Sequence, residues 1–198
     1  DGVRTCTLRH LVPEGATAAE ETDPRVARLK GTAAMVGVIE PAVALYEEPP
    51  TEGMQVDTDR ATVWVDAEDW AEAFGSRDPG TPHNEARDDV WKALIDILVD
   101  KHRSGDDPDE QVRRSLMRDE ALREAFARAW PLLEHADVVA DLWSVPAYLR
   151  RCAPWLGDDQ LRLLRRPDDP YAWTVSDLPL LDAARRRVGD REAPRRRR

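Results

Sequence analysis

The sequence predicts a mainly α-helical protein, an irregular helical domain with long antiparallel helices and one small β-hairpin. Three observations predict this class. Apolar residues recur at helical spacing over much of the chain, proline and glycine separate these segments, and only one short region alternates convincingly as paired strands do. At 198 residues, the chain is long enough to bury a substantial core in one or two domains.

Residues 1–30 are predicted to be the edge of another domain. Val3–Leu8 alternates as a strand does, and Glu14–Asp23 is a polar connector that contains Ala and Gly.

A helix is predicted from about Thr32 to Glu47, where Pro41 indicates a kink or a break and Pro49–Pro50 an end. The apolar residues at near-helical spacing are Ala34, Val38, Ala42 and Leu45. After it, Met54–Val56 and Ala61–Val65 are predicted to pair as the β-hairpin.

The next helices are the longest. Asp66 is predicted to cap a short helix that closes at Gly75, and Thr81–Pro82 to start a long one that ends near residues 103–105. A second long helix is predicted from about Asp109 to Trp130, which makes residues 103–109 the tip of a helical hairpin.

Prolines divide the remainder into short helices. Breaks are predicted at Pro131, at Ser144–Pro146 and at Pro154. Ser176 is predicted to cap the last helix, with Pro179 in its first turn.

Composition indicates a soluble cytoplasmic protein with an acidic surface. The formal net charge is −10. A net negative protein is repelled by nucleic-acid phosphates and attracted to basic surfaces. No signal peptide or membrane-length apolar run is present. Cys6 and Cys152 form no Cys-x-x-Cys pair and are predicted to be reduced structural thiols.

The residues carry no catalytic motif. A Gly-x-x-x-x-Gly-Lys-Ser/Thr phosphate loop and a Gly-x-Ser-x-Gly elbow are both absent. The four histidines, His10, His83, His102 and His135, lack metal-ligand spacing and are predicted to be surface or cap residues. The seven tryptophans are predicted to pack mostly in the core, with Trp64 of the hairpin left open.

The acidic loop between the two long helices is the sharpest candidate site. Its acids are Asp106, Asp107, Asp109 and Glu110. From the residues alone, a polar turn that caps a helix is the favoured explanation, because acids at a helix start interact favourably with its dipole.

Several segments carry a resemblance to known proteins: Leu8–Gly15, Thr81–Asp88, Ala129–Leu133, Asp141–Ser144 and Trp173–Asp182. In these segments the chain resembles UvrD-like superfamily 1 helicases, and more narrowly the actinobacterial HelD-type ATPases that recycle RNA polymerase. The similarity extends over nearly the whole chain.

The resemblance implies a piece of a helicase-like ATPase. Residues 1–30 would be the edge of its first motor domain (1A) and a connector, and 31–170 the HelD-specific helical insertion. Residues 171–198 would be the return segment to the motor domain, with a basic tail. ATP and magnesium would be bound by the parent protein, and no cofactor by this chain.

The resemblance also implies a partner. In that family the insertion enters the main channel of core RNA polymerase, helps to open the clamp and helps to release nucleic acid. The loop from Arg103 to about Met117 corresponds by position to the family's loop towards the polymerase active centre. Asp106, Asp107, Asp109 and Glu110 are therefore the expected partner-binding residues.

Two alternatives remain open. An accessory domain of a conventional UvrD-like ATP-dependent DNA helicase would touch DNA through a basic face. Arginine patches at Arg150–Arg151, Arg165–Arg166 and Arg185–Arg187 leave room for it, although the net charge opposes it. A free-standing hydrolase has no supporting motif.

Overall fold

The structure, a computed structural model, describes residues 7–59, 62–102 and 108–192. Its two strands are β1 (Met54–Asp57) and β2 (Thr62–Val65). The α-helices are α1 (Pro24–Lys30), α2 (Ala33–Val36), α3 (Ile39–Ala44), α4 (Ala67–Gly75), α5 (His83–His102), α6 (Asp109–Arg118), α7 (Glu120–Ala129), α8 (His135–Ser144), α9 (Pro146–Cys152), α10 (Asp158–Leu164) and α11 (Leu178–Val188). The mainly α class with a small hairpin is confirmed.

The chain divides into two compact units. The first is formed by the described residues of Asp1–Ala44 and Leu133–Gly189, and the second by those of Leu45–Leu132 and Asp190–Arg198. In chain order, most of the second unit is thus inserted into the first. The boundaries implied by the resemblance, 30/31 and 170/171, both fall within the first unit, and they remain predictions.

The predicted hairpin opens the second unit. β1 and β2 are antiparallel, with Met54 opposite Val65 and Asp57 opposite Thr62. Val56, Val63 and Val65 are buried on one face, as the period of a half-buried strand requires.

Asp66 caps α4 as predicted. Its carboxylate accepts hydrogen bonds from the backbone of Glu68 and Asp69, and the Asp69 carboxylate accepts one from the Asp66 backbone. Lys101 of α5 donates to both carboxylates, at 3.0 and 2.6 Å. The hydrogen bond from Lys101, together with that from the Asp69 backbone, holds the pKa of Asp66 below its ordinary value.

The core of the second unit lies around α5. Its buried members from α5, α6 and α7 include Val90, Leu94, Ile95, Leu98, Val112, Leu116, Leu122 and Phe126. They pack with the hairpin valines and with Trp70 and Phe74 of α4. Helical spacing predicted the burial of Val90, Leu94 and Leu98 correctly, whereas Ile97, predicted on the same face, is only half-buried.

The prediction of a single helix from Asp109 to Trp130 is wrong. The chain forms two helices, α6 and α7, with a break at Asp119. There the backbone is extended, with φ −60° and ψ 122°. The Asp119 carboxylate accepts a hydrogen bond of 2.7 Å from the Leu122 backbone, so Asp119 caps α7. Apolar spacing continues across the break and concealed it.

The single helix predicted from Thr32 is also interrupted, and the break lies at Gly37 rather than at Pro41. Thr32 caps α2, since its hydroxyl accepts from the Met35 backbone at 3.2 Å. Pro41 is the third residue of α3. A first-turn residue has no intrahelical acceptor for its N–H, so proline is tolerated there.

Helix α11 packs against α3 and α8 in the first unit. Pro179 lies in its first turn as predicted, but Ser176 does not cap it. Ser176 lies within a 3-10 turn, Val175–Asp177, where the Asp177 carboxylate accepts a 2.9 Å hydrogen bond from the Thr174 backbone. The short helices predicted between the prolines are confirmed as α8, α9 and α10.

No single helix within the described ranges combines the length and apolar composition of a membrane span. Pro24–Lys30 and Ala33–Glu47 pass that test only when taken together, as a pair bent by 64°.

Candidate partner-binding site

The structure locates half of the predicted acidic site. Asp109 and Glu110 are the first two residues of α6, and both are exposed. Asp106 and Asp107 lie outside the described residues. The described acids are therefore displayed at a helix start, where the helix dipole favours negative charge.

Helix α6 is anchored from two sides. Val112 and Leu116 are buried in the core of the second unit, and Arg113 forms an ion pair with Asp96 of α5. On the other side, the Ser115 hydroxyl donates to the carboxylate of Asp59 beside β1. The acidic first turn is thus presented by a fixed helix.

The charge at this end of α6 is mixed. Arg114 donates from Nε to Oε1 of Glu110 at 3.1 Å, and the Glu110 side chain is 62% exposed. An exposed ion pair at this spacing contributes about 0.3–0.5 kcal/mol, so a partner's cation can replace Arg114 at small cost.

A groove that the sequence did not reveal lies between α5, α6 and α7. Its volume is about 910 Å³, and Trp91, Met117 and Phe126 supply its aromatic and thioether surface. The guanidinium of Arg87 lies 4.9 Å from the Phe126 ring. The lining residues of the groove come from α5, α6 and α7, which the sequence analysis did not bring together.

A second feature is a buried ion cluster in the first unit. Lys30 is 1% exposed, and its Nζ lies 2.7 Å from Oδ1 of the fully buried Asp177. Arg166 contacts the other Asp177 oxygen at 3.1 Å. Burial lowers the pKa of Lys30, while the Asp177 carboxylate opposes that shift. The cluster joins α1 to the segment before α11.

The histidine predictions need one correction. His83 is fully buried, not a surface or cap residue, and its ring is stacked on Trp130. His135 is half-buried between Glu14 and Glu134, both at 2.9 Å. Among the described residues, no group of three or more His, Cys, Asp or Glu side chains is arranged to hold a metal ion.

The tryptophans divide between core and surface. Trp70, Trp130 and Trp143 are buried, and Trp91 and Trp173 are half-buried, so fewer of the seven lie in the core than predicted. Trp64 of the hairpin is 55% exposed and Trp155 is 53% exposed.

Cys152 should react slowly with alkylating reagents. It is a free, buried thiol, and desolvation raises its pKa, so little thiolate is present at neutral pH. We expect slower labelling by iodoacetamide in the folded Cys6→Ser variant than in the same variant unfolded in denaturant. Equal rates would contradict burial of this thiol.

The arginine patches are largely engaged with carboxylates. Arg150 pairs with Asp158 at 2.9 Å, and Arg185 and Arg186 pair with Asp182 at 3.2 and 2.7 Å. Arg187 pairs with Glu40 at 2.8 Å. These acids offset the positive charge on which a DNA-contacting face depends.

The comparisons add no family assignment. No protein-family model matches the chain, and a search of curated proteins finds no similar sequence. The resemblance to HelD-type ATPases therefore remains a prediction.

Proposed function

We propose that this chain is the insertion domain of a HelD-type, helicase-like ATPase, with the adjoining edges of its first motor domain. Its role is non-catalytic: it binds core RNA polymerase in the main channel, opens the clamp and helps to release nucleic acid. ATP and magnesium are bound by the motor domains of the parent protein, and the complex forms in the cytoplasm.

The observation that carries this proposal is the meeting of the two flanking segments. Ala19 and Thr174 form a parallel bridge, in which the Ala19 backbone donates to Trp173 and the Val175 backbone donates to Ala19, both at 2.9 Å. The buried Lys30–Asp177 pair joins the same segments. An insertion must leave and re-enter its parent domain at neighbouring points, so adjacent flanks support this interpretation.

The nesting of the units in the chain gives further support. Residues 45–132 are contiguous in sequence and separate the two parts of the first unit. They contain the longest described helix, α5, which at 1.5 Å per residue extends for about 30 Å. The acids of α6 follow it, where they can contact the basic surface that polymerase presents to nucleic acid.

The first test measures binding of this chain to core RNA polymerase and, in parallel, to single- and double-stranded DNA over a salt series. We expect polymerase binding that weakens with salt, and no DNA binding of comparable strength. DNA binding with a steep salt slope and no polymerase binding would overturn the proposal in favour of a conventional DNA helicase domain.

The acidic site is tested by replacing Asp109 with Asn and Glu110 with Gln. We expect polymerase affinity to fall by about tenfold, because two charges that face a basic surface are removed. The unfolding free energy should change by less than about 1 kcal/mol, since both side chains are exposed.

A matched control is available at α10. Asp158 and Asp159 are also exposed acids in a helix first turn, paired with Arg150 and Arg162. Their replacement by Asn removes the same charge and should leave polymerase affinity unchanged. Equal losses in the two double variants would indicate a general charge effect and reject the α6 site. Addition of Asp106→Asn and Asp107→Asn then measures the complete loop.

A further inference from the structure

His83 contacts both the first and the last segments of the contiguous part of the second unit. Its Nε2 lies 2.8 Å from the carbonyl oxygen of Pro131, and its Nδ1 lies 3.2 Å from Oε1 of Glu47. Glu47 belongs to the 3-10 turn Leu45–Glu47 that begins residues 45–132, and Pro131 is the residue before their end. One imidazole therefore bridges the entry and the exit of this segment.

The His83 ring is fully buried, and Trp130 packs against one of its faces. It stacks on Trp130 with ring centroids 4.8 Å apart and an interplanar angle of 6°. Trp130 also donates from Nε1 to the His83 carbonyl at 3.0 Å. A partial rotation of the ring would break this stacking.

The contacts of the ring demand a second hydrogen. A neutral imidazole has one N–H donor and one bare acceptor nitrogen. Here both nitrogens face oxygens, one in a carbonyl and one in a carboxylate, and an ionised carboxylate only accepts. Both contacts are favourable only when Nδ1 or the Glu47 carboxyl carries an additional hydrogen.

We propose that His83, Glu47 and Pro131 form a proton-dependent clasp that fastens the start of residues 45–132 to their end. The clasp is closed while the His83–Glu47 pair carries the second hydrogen. It loosens when that hydrogen is lost, and this behaviour is independent of whether the chain binds polymerase.

Two guanidinium groups act on the clasp. Arg77 contacts Oε2 of Glu47 at 2.8 Å, so Glu47 lies between the His83 ring and this guanidinium. Arg87 donates from Nε to the Trp130 carbonyl at 3.2 Å and so helps to fix the stacked tryptophan.

Loss of the proton has a defined structural result. The ring nitrogen that loses its hydrogen would then turn a lone pair towards an oxygen inside a buried site, which is repulsive. The contact of that nitrogen, with Glu47 at the entry or with Pro131 at the exit, is the one that is released.

The test compares the native chain with Glu47→Gln. The glutamine amide can donate to a neutral Nδ1 while Nε2–H donates to Pro131, so this clasp needs no additional proton. In the native chain, closure of the clasp takes up a proton wherever the unfolded chain has lost it. Over that range of pH the unfolding equilibrium constant of the native chain should rise with pH, by up to about tenfold per pH unit. This component should be absent in Glu47→Gln.

The measurement is denaturant unfolding over a pH series, combined with ¹⁵N NMR of the His83 ring and ¹³C NMR of the Glu47 carboxyl in the native chain. Glu14→Gln is the matched control, because Glu14 contacts His135 at 2.9 Å in the first unit. That variant should keep the component assigned to the clasp.

Two results would overturn the clasp. The first is a pH profile of Glu47→Gln that matches the native profile. The second is a folded native state at neutral pH in which the His83 ring carries only one hydrogen while Glu47 is ionised. The NMR result decides the matter without any variant, so it stands even if Glu47→Gln folds poorly.

Discussion

Replacement of Asp177 by Asn should destabilise the first unit by about 3–5 kcal/mol, the range for removal of one partner from a buried ion pair. Asn keeps the shape of the side chain but removes the charge that faces Lys30 at 2.7 Å and Arg166 at 3.1 Å. Two cations would remain, with Glu21 at 3.8 Å from Lys30 as the nearest described carboxylate. Chemical denaturation followed by far-UV circular dichroism measures the loss.

The cost of Asp177→Asn should diminish at alkaline pH. Burial holds the pKa of Lys30 below its ordinary value of 10.5, and removal of Asp177 lowers it further. Between the folded pKa of Lys30 in the variant and that in the native chain, only the variant binds more protons when unfolded than when folded, so its stability rises relative to the native chain in that window. A cost that stays constant from neutral to alkaline pH would contradict the assigned role of Lys30.

Lys30→Met is the matched control. It removes one cation, while Asp177 keeps Arg166 at 3.1 Å and the Thr174 backbone at 2.9 Å. The methionine side chain can occupy the space beside the Trp143 ring, over which Lys30 lies at 4.7 Å. We expect less than half of the cost of Asp177→Asn. An equal loss of unfolding free energy in the two variants would show that the stability of the cluster depends on Lys30 as much as on the Asp177 carboxylate.

The helices were predictable because their determinants are local. Spacing of Val90, Leu94 and Leu98 indicated the buried face of α5, and Asp66 was recognisable as a cap. The breaks at Gly37 and Asp119 were missed because apolar spacing continues through both. Aspartate is favourable at a helix N-cap and unfavourable in a helix interior. The presence of Asp119 within the apolar pattern was therefore the available signal for the break.

The sites were predictable only where they depend on sequence neighbours. Asp109 and Glu110 were correctly expected in an exposed helix start. The Lys30–Asp177 pair joins residues separated by 147 positions, and no local pattern announces it. His83 was assigned to the surface because histidine is polar, whereas its stacking on Trp130 depends on residues 47 positions apart.

Replacement of Trp130 by Ala should destabilise the second unit by about 3–5 kcal/mol, the cost of truncating a buried aromatic side chain. Trp130 is fully buried, packs edge-on against Phe74 with ring centroids 5.0 Å apart, and stacks on His83. Its loss also removes the donor to the His83 carbonyl, which then lacks that bond inside the core.

Trp64→Ala separates the effect of burial from that of tryptophan itself. Trp64 lies in the same unit but is 55% exposed, so the same truncation should cost no more than about 1 kcal/mol. Denaturant unfolding of both variants, followed by near-UV circular dichroism, measures the difference. A cost for Trp64→Ala equal to that for Trp130→Ala would mean that the hairpin, and not the Trp130–His83 stack, limits the stability of the unit. In that case the unit would open first at β1 and β2, and the clasp on His83 would contribute little to its stability.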